Sequence, residues 1–254
     1  MAPRPSKRAR LEVSDSEVQK VLGFEDFQLK DMPDAEVFYV PNFFDEETSA
    51  QWYSGLLELD SWYQPRLKLY GREIIQSRKI AAYATDPKLT LKYSGQVVDM
   101  HYEYPPLLRQ IQDEVEEKLG VTFNHVMLNL YEDGSVYIGN HRDNLENRVI
   151  ASVSLGAPRT FIMTHDAPKR AKHTSRQKRK ARVTSLETSD PPIPPDLDDL
   201  KINKPTAKRK QWTLNSGSLI VMQGDTQRFW KHEIPKEPKV KDGRISLTFR
   251  QLVF

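Results

Sequence analysis

Cysteine is absent from the 254-residue chain, which excludes disulfides, thiolate-held metals and cysteine nucleophiles. The absence fits a reducing compartment. Long apolar runs are missing as well. No stretch stays apolar over the ~20 residues that a membrane-spanning helix needs, and the first residues lack the apolar centre of a signal peptide. These absences predict a soluble, intracellular protein with no membrane partner. Hydrophobic residues reach only 38% while charged ones make up 29%, a balance on the polar side of globular, so part of the length should stay outside the packed core. The remainder is long enough for one domain with a sizeable core, expected to act as a monomer.

Neither sign of charge dominates the sum, with 38 Lys and Arg against 35 Asp and Glu, but the distribution is uneven. Residues 1–10 carry Arg4, Lys7, Arg8 and Arg10 and no acid, and residues 167–182 carry eight Lys or Arg and no acid. Such runs touch phosphates, address a chain to the nucleus, or stand as solvated tails. The reading adopted is a nuclear protein, with the cytoplasm as its second compartment, whose partner is nucleic acid. Residues 1–33, charged and carrying Pro3 and Pro5, are expected to be a disordered basic tail ahead of a domain at 34–254. Within that domain, residues 166–210 combine the basic run with Asp190-Pro191-Pro192-Ile193-Pro194-Pro195 and with Lys208-Arg209-Lys210. Such a composition buries too little apolar surface to order itself, which predicts a mobile insertion between two strands.

The rest of the chain alternates between two periods. Residues 37–40 begin a strand. Asp45 is placed to cap a helix that carries Glu46 and Glu47 in its first turn, Trp52 and Leu56 on its apolar side, and an end near Asp60. Residues 67–75 form a hairpin with Gly71 in the turn. Pro105 and Pro106 open a second helix in which Leu108, Ile111, Val115 and Leu119 recur at spacings of three and four before Gly120. Beyond Val121 the pattern turns to short strands at 126–131, 149–155, 160–164, 218–222 and 244–254, with a further one at Leu214. The turns between them hold Gly134, Gly139, Gly156, Gly217 and Gly224. That pattern argues for a sandwich or barrel.

Chemistry concentrates in Asn129-Leu130-Tyr131 and in His141-Arg142-Asp143. On extended backbone a spacing of two aims both side chains at one face. An imidazole and a carboxylate so placed do not close a metal site by themselves, and His232, 91 positions later, is the candidate third ligand. Two histidines and a carboxylate on one face of a metal leave its other positions open, as in non-haem Fe(II) oxygenases. An isolated His-x-Asp is more often an ion pair, but the final strand shifts the balance. In Arg244-Ile245-Ser246-Leu247-Thr248-Phe249-Arg250 the even positions are Arg, Ser, Thr and Arg while the odd ones are apolar. Two guanidinium groups flanking two hydroxyls can grip a carboxylate by paired hydrogen bonds. Asn129 and Tyr131 share a face opposite Leu128 and Leu130, and a buried amide and phenol favour a polar ligand there. His101, His125, His165 and His173 have no carboxylate at that offset and read as structural or surface residues.

This ordered set of Asn129, Tyr131, Gly134, His141, Asp143, His232, Arg244 and Arg250 resembles the AlkB family of Fe(II)/2-oxoglutarate dioxygenases, most closely its nucleic-acid alkylation-repair branch, from about Val37 to Phe254. The resemblance implies an α+β, mainly β fold: a double-stranded β-helix (jelly-roll) core with flanking N-terminal helices and a nucleotide-recognition lid. It implies that His141, Asp143 and His232 hold Fe(II). Asn129, Tyr131, Arg244, Thr248 and Arg250 would hold 2-oxoglutarate, with Arg250 on its far carboxylate, and O2 is the cosubstrate. It further implies oxidative demethylation of 1-methyladenine and 3-methylcytosine in DNA, with release of formaldehyde and succinate. Arg78, Tyr93, Ser94 and Asn144 become candidates for contacting the base. The chain departs from the family after Asp143, where duplex-repair relatives carry an acidic pair and this sequence has Asn144-Leu145-Glu146. RNA demethylation at the same iron site, and a non-catalytic nucleic-acid-binding module, remain alternatives at this point.

Overall fold

A computed structural model describes residues 23–69, 72–93, 96–143, 147–166 and 209–252. In chain order the first elements are β1 (Glu36–Val40), α1 (Glu46–Leu57), β2 (Arg66–Leu69), β3 (Arg72–Ile75) and β4 (Lys79–Ala84). Short strands β5 (Lys92–Tyr93), β6 (Gln96–Val97) and β7 (Met100–His101) lead to α2 (Pro106–Leu119). After it come β8 (His125–Tyr131), β9 (Ile138–His141), β10 (Asn147–Gly156), β11 (Arg159–His165), β12 (Arg209–Leu214) and β13 (Ser218–Gln223). A single helical turn, α3 (Thr226–Phe229), precedes β14 (Trp230–Ile234) and β15 (Arg244–Leu252).

The strands form a seven-stranded sheet in the order β1-β13-β10-β15-β8-β4-β7 and a four-stranded sheet in the order β12-β11-β14-β9. Alternation along each strand of the larger sheet divides its side chains between two environments. Ile245, Leu247 and Phe249 of β15, with Val126 and Leu128 of β8, join Trp52 and Leu56 of α1 and Leu108, Ile111 and Val115 of α2 in one buried cluster. Each such side chain, once fully buried, contributes about 1.5–3 kcal/mol relative to exposure. On the opposite face Ile150, Ile220 and Met222 meet Phe161, Met163 and Trp230 of the smaller sheet. The two sheets therefore pack face to face as a jelly roll, and the cavity described below lies between them.

Local chemistry explains the helix ends. The Asp45 carboxylate accepts from the Thr48 amide at 2.7 Å, satisfying one of the free donors of the first turn. Gly120 adopts φ +64° just beyond α2, where its amide donates to the Glu116 carbonyl at 2.9 Å; only glycine takes that conformation without strain. Strand β4 escapes the reading of periodicity because residues 80–84 are buried on both faces, which removes the alternation.

Several expectations need correction. The tail does not extend to residue 33. Leu29 donates its amide to the Val37 carbonyl at 2.8 Å, Met32 is buried, and the Trp230 indole donates to the Pro33 carbonyl at 2.8 Å. Phe24, Leu29 and Met32 stand singly among charges, so composition hides the contacts they make with the core. The first helix ends at Leu57, short of Asp60. Gly139 lies inside β9 and not in a turn. The hairpin at 67–75 forms with Leu69 opposite Arg72, while Gly71 itself lies outside the described residues. Residues 1–22 and 167–208 lie outside them too. The strands flanking the second segment, β11 and β12, are antiparallel partners with Thr164 opposite Arg209. Arg209 and Lys210 are therefore strand residues and not part of an insertion. Among the described residues no helix is long and apolar enough to cross a membrane.

Candidate active site

Strands β9 and β14 are antiparallel neighbours with His141 and His232 in register, which closes the long sequence gap between them. Their ring centroids stand 4.4 Å apart. Asp143 sits just past the end of β9 and not on the strand, and its amide donates to Gln227 Oε1 on α3 at 3.0 Å. That hydrogen bond turns the carboxylate toward the histidines, so that His232 Nε2 lies 3.9 Å from Asp143 Oδ2. Nδ1 of His141 is 2.8 Å from the Gly139 carbonyl. With a proton on Nδ1 to donate there, Nε2 carries the lone pair that a metal accepts. Phe161 stacks on His232 at 5.6 Å and 24°.

The charges follow from burial and from Arg250, whose Nη2 donates to Asp143 Oδ1 at 3.0 Å. Burial by itself would raise the Asp143 pKa, but Arg250, with His232 and His141 adding, outweighs it and holds the carboxyl at about 2. Burial lowers the His232 pKa to about 3, and His141 and Arg250 reinforce it against Asp143. Burial lowers His141 as well, opposed by Asp143. At neutral pH the set is thus one carboxylate and two neutral imidazoles, the protonation state in which all three have lone pairs to give. Among the described residues no three such side chains stand posed as a finished metal site. Here the donors lean on one another, with Arg250 on one oxygen of Asp143 and His232 beside the other. In kind they fit a divalent iron, and buried Nδ1 of His232 has no hydrogen-bond partner among the described residues.

The polar face of β15 continues the same cavity, which measures about 300 Å³ and is lined by residues of both sheets. Arg244 lies deepest at 1% exposure, opposite Tyr131 in the β15–β8 register. Its Nη2 donates to Ser154 Oγ at 2.8 Å, and the guanidinium stands over the Tyr131 ring at 5.2 Å. Nε and Nη1 are buried without a hydrogen-bond acceptor among the described residues. A buried cation with idle donors is costly unless an anion meets it, and a carboxylate has the matching fork. Toward the iron ligands, the hydroxyls of Ser152, Ser246 and Thr248 lie 3.1–3.4 Å from one another.

All eight residues expected to hold metal or 2-oxoglutarate line this one cavity. The two arginines differ in their partners: Arg250, expected on the far carboxylate, donates to Asp143, while Arg244 keeps Nε and Nη1 without an acceptor among the described residues. Arg78 also lines the cavity, but it is buried and its Nε donates to Asn129 Oδ1 at 2.8 Å, so it acts first on a neighbour within the protein. Tyr93 falls in β5, and Ser94 and Asn144 lie outside the described residues. Sequence reasoning missed Gln227, Phe161 and Ser154. The first sits on a single helical turn with no periodicity to mark it, and the other two look like ordinary strand residues.

A family model for the 2OG-Fe(II) oxygenase superfamily matches residues 36–250. The chain belongs to that superfamily. The oxygenase is 30% identical over 223 residues to a protein named DNA oxidative demethylase ALKBH2 from Arabidopsis thaliana, covering 85% of this chain and 66% of that one. It is 31% identical over 211 residues to the Bos taurus protein of the same name, covering 82% and 62%. Against Homo sapiens alpha-ketoglutarate-dependent dioxygenase alkB homolog 3 the identity is 28% over 220 residues, covering 85% and 66%. These relatives bear out the AlkB resemblance, although the oxygenase spans somewhat less than two thirds of the length of each. Its superfamily brings Fe(II) and 2-oxoglutarate as cofactors, with O2 as cosubstrate.

Proposed function

We propose that this oxygenase demethylates alkylated bases in DNA, 1-methyladenine and 3-methylcytosine, acting as a repair enzyme in the nucleus. The reading is carried by the buried Arg244, whose idle N–H donors share one cavity with two neutral histidines and an ionised aspartate. Names of the relatives, which are DNA oxidative demethylases, supply the substrate class. When bound, Fe(II) with 2-oxoglutarate and O2 supplies the oxidation by which an N-methyl group leaves as formaldehyde and 2-oxoglutarate becomes succinate and carbon dioxide.

Everything else is done by residues of the chain. His141, Asp143 and His232 hold the metal, and Arg250 keeps Asp143 ionised and turned toward them. Arg244, with Ser154 and Tyr131 around it, receives the far carboxylate of 2-oxoglutarate, while Asn129 and Thr248 flank the cosubstrate. Arg78 steadies Asn129. Tyr93, Ser94 and Asn144 contact the flipped base, which must leave the stack at an unstacking cost of roughly a few kcal/mol, least for a methylated base that pairs poorly.

The test is mass spectrometry of matched DNA and RNA oligonucleotides, each with one methylated base, after incubation with iron, ascorbate and 2-oxoglutarate. The expected result is loss of the methyl group from DNA carrying 1-methyladenine or 3-methylcytosine, abolished in His232→Ala while nucleic-acid affinity persists. Preferential turnover of the RNA set would move the substrate to RNA, and turnover of neither would leave a binding module.

A further inference from the structure

Arg159 opens β11 and is 1% exposed, yet it lies outside the cavity lining. A guanidinium buried so completely needs its donors met, and acceptors from two separate loops take four of its five N–H groups. Nε donates to Glu237 Oε2 at 2.9 Å, Nη1 to the Asp133 carbonyl at 3.2 Å, and Nη2 to the Val136 and Pro235 carbonyls at 2.9 and 2.7 Å. Glu237 is fixed in turn by the Thr160 amide and hydroxyl at 2.9 and 2.7 Å. Those carbonyls are not arbitrary. Val136 stands two residues before β9, which ends in His141, and Pro235 directly follows β14, which carries His232. The same guanidinium stands over the Tyr131 ring at 5.5 Å, as Arg244 does at 5.2 Å.

Two guanidinium groups thus address one ring, and they differ in balance. Arg159 is neutralised by Glu237, whereas Arg244 has no carboxylate within ion-pair distance among the described residues. The attraction of a cation for a ring face locates Tyr131, and Tyr131 is the wall against which Arg244 lies. We propose that Arg159, braced by Glu237, is a positioning residue that sets Tyr131 so that the Arg244 end of the cavity accepts the second carboxylate of a dicarboxylic 2-oxoacid. The inference rests on the proposed function and concerns selection of the cosubstrate by its far end. Arg159 lies outside the cavity lining and acts through Tyr131, through the two loops and through the charge that it and Glu237 present to Arg244.

Isothermal titration calorimetry on the Mn(II)-loaded full chain decides the matter, with 2-oxoglutarate and with 2-oxobutyrate, which keeps the oxoacid end but has no far carboxylate. In Arg159→Lys, affinity for 2-oxoglutarate falls by about tenfold, the lower range for residues that orient site groups. Affinity for 2-oxobutyrate and for Mn(II) stays within about twofold. In a Tyr131→Leu background the Arg159→Lys substitution has no further effect on 2-oxoglutarate, because the ring that Arg159 positions is gone while the lysine keeps the charge that faces Arg244. Equal weakening of both oxoacids, or additive effects in the double variant, would reduce Arg159 to a structural brace and overturn the inference. Glu237→Gln loosens the brace and removes its charge, and changes 2-oxoglutarate affinity while 2-oxobutyrate affinity stays within about twofold. If Arg159→Lys fails to fold, unchanged affinity in Glu237→Gln overturns the inference instead. A wild-type chain that binds no 2-oxoglutarate overturns the proposed function along with it, while intact wild-type binding with indifferent variants overturns this inference alone.

Discussion

His232 is neutral in the folded chain because burial refuses it a proton, and this has a consequence for acid stability. Its pKa is about 3 in place of 6.5, so between those values the unfolded chain binds a proton that the folded chain does not. Stability therefore rises with pH across that window and falls as the medium is acidified, by up to about 1.4 kcal/mol per pH unit from this residue. Asp143 has the opposite origin. Its folded pKa of about 2 lies below the ordinary 3.8, so its contribution is present above 3.8 and disappears only as pH falls through about 2. Urea denaturation of chelator-treated protein between pH 4.5 and 7 should give a steeper slope for the wild type than for His232→Gln. Some slope remains in the variant because burial lowers His141 and His125 too. Parallel curves would mean that residue 232 titrates alike in both states. The donor types were legible in the sequence, since His141 and Asp143 are two apart and the final strand has one polar face. That Arg250 serves Asp143 was not, because an ion pair between residues 107 apart depends on which strands lie side by side.

Among the elements, α2 and β15 were the most readable, and for the same reason: each carries apolar side chains on one face and polar ones on the other. The end of α2 can be tested directly. A Cβ at position 120 meets nothing within 4 Å, so Gly120→Ala isolates the backbone conformation from any clash. The expected cost is about 1 kcal/mol in urea denaturation, with Gly120→Asn losing less. A neutral alanine would show that α2 ends in some other conformation in solution. Elements that are buried on both faces, or too short to establish a period, were not legible. β4 is buried on both faces, β14 carries His232 in a five-residue strand, and α3 is one turn long. All three support the site, so the omissions fell on function more than on the core.

For the molecule as a whole, the eight basic residues of 167–182 separate strand partners that are already adjacent. With Thr164 opposite Arg209, removing residues 169–208 leaves 165–168 to turn the chain, a length common in hairpins. The shortened oxygenase should melt within a few degrees of the full chain while binding nucleic acid more weakly. The plot of log affinity against log salt should be flatter, since fewer counterions are released. Affinity unchanged through a salt titration would remove this segment from substrate binding.

The sequence by itself determined which side chains face inward on the elements with a clear period, where the second helix stops, and which ligand types are available, because these follow from periods of two and 3.6 and from local backbone preferences. It also carried the family resemblance, through motifs short enough to be read in one pass. The tertiary structure alone decided that β9 and β14 are neighbours, that Arg250 balances Asp143, and that Arg244 is left with idle donors beneath Tyr131 and Arg159. Those outcomes depend on strand order and on burial, and strand order is a property of the whole sheet that no local pattern encodes.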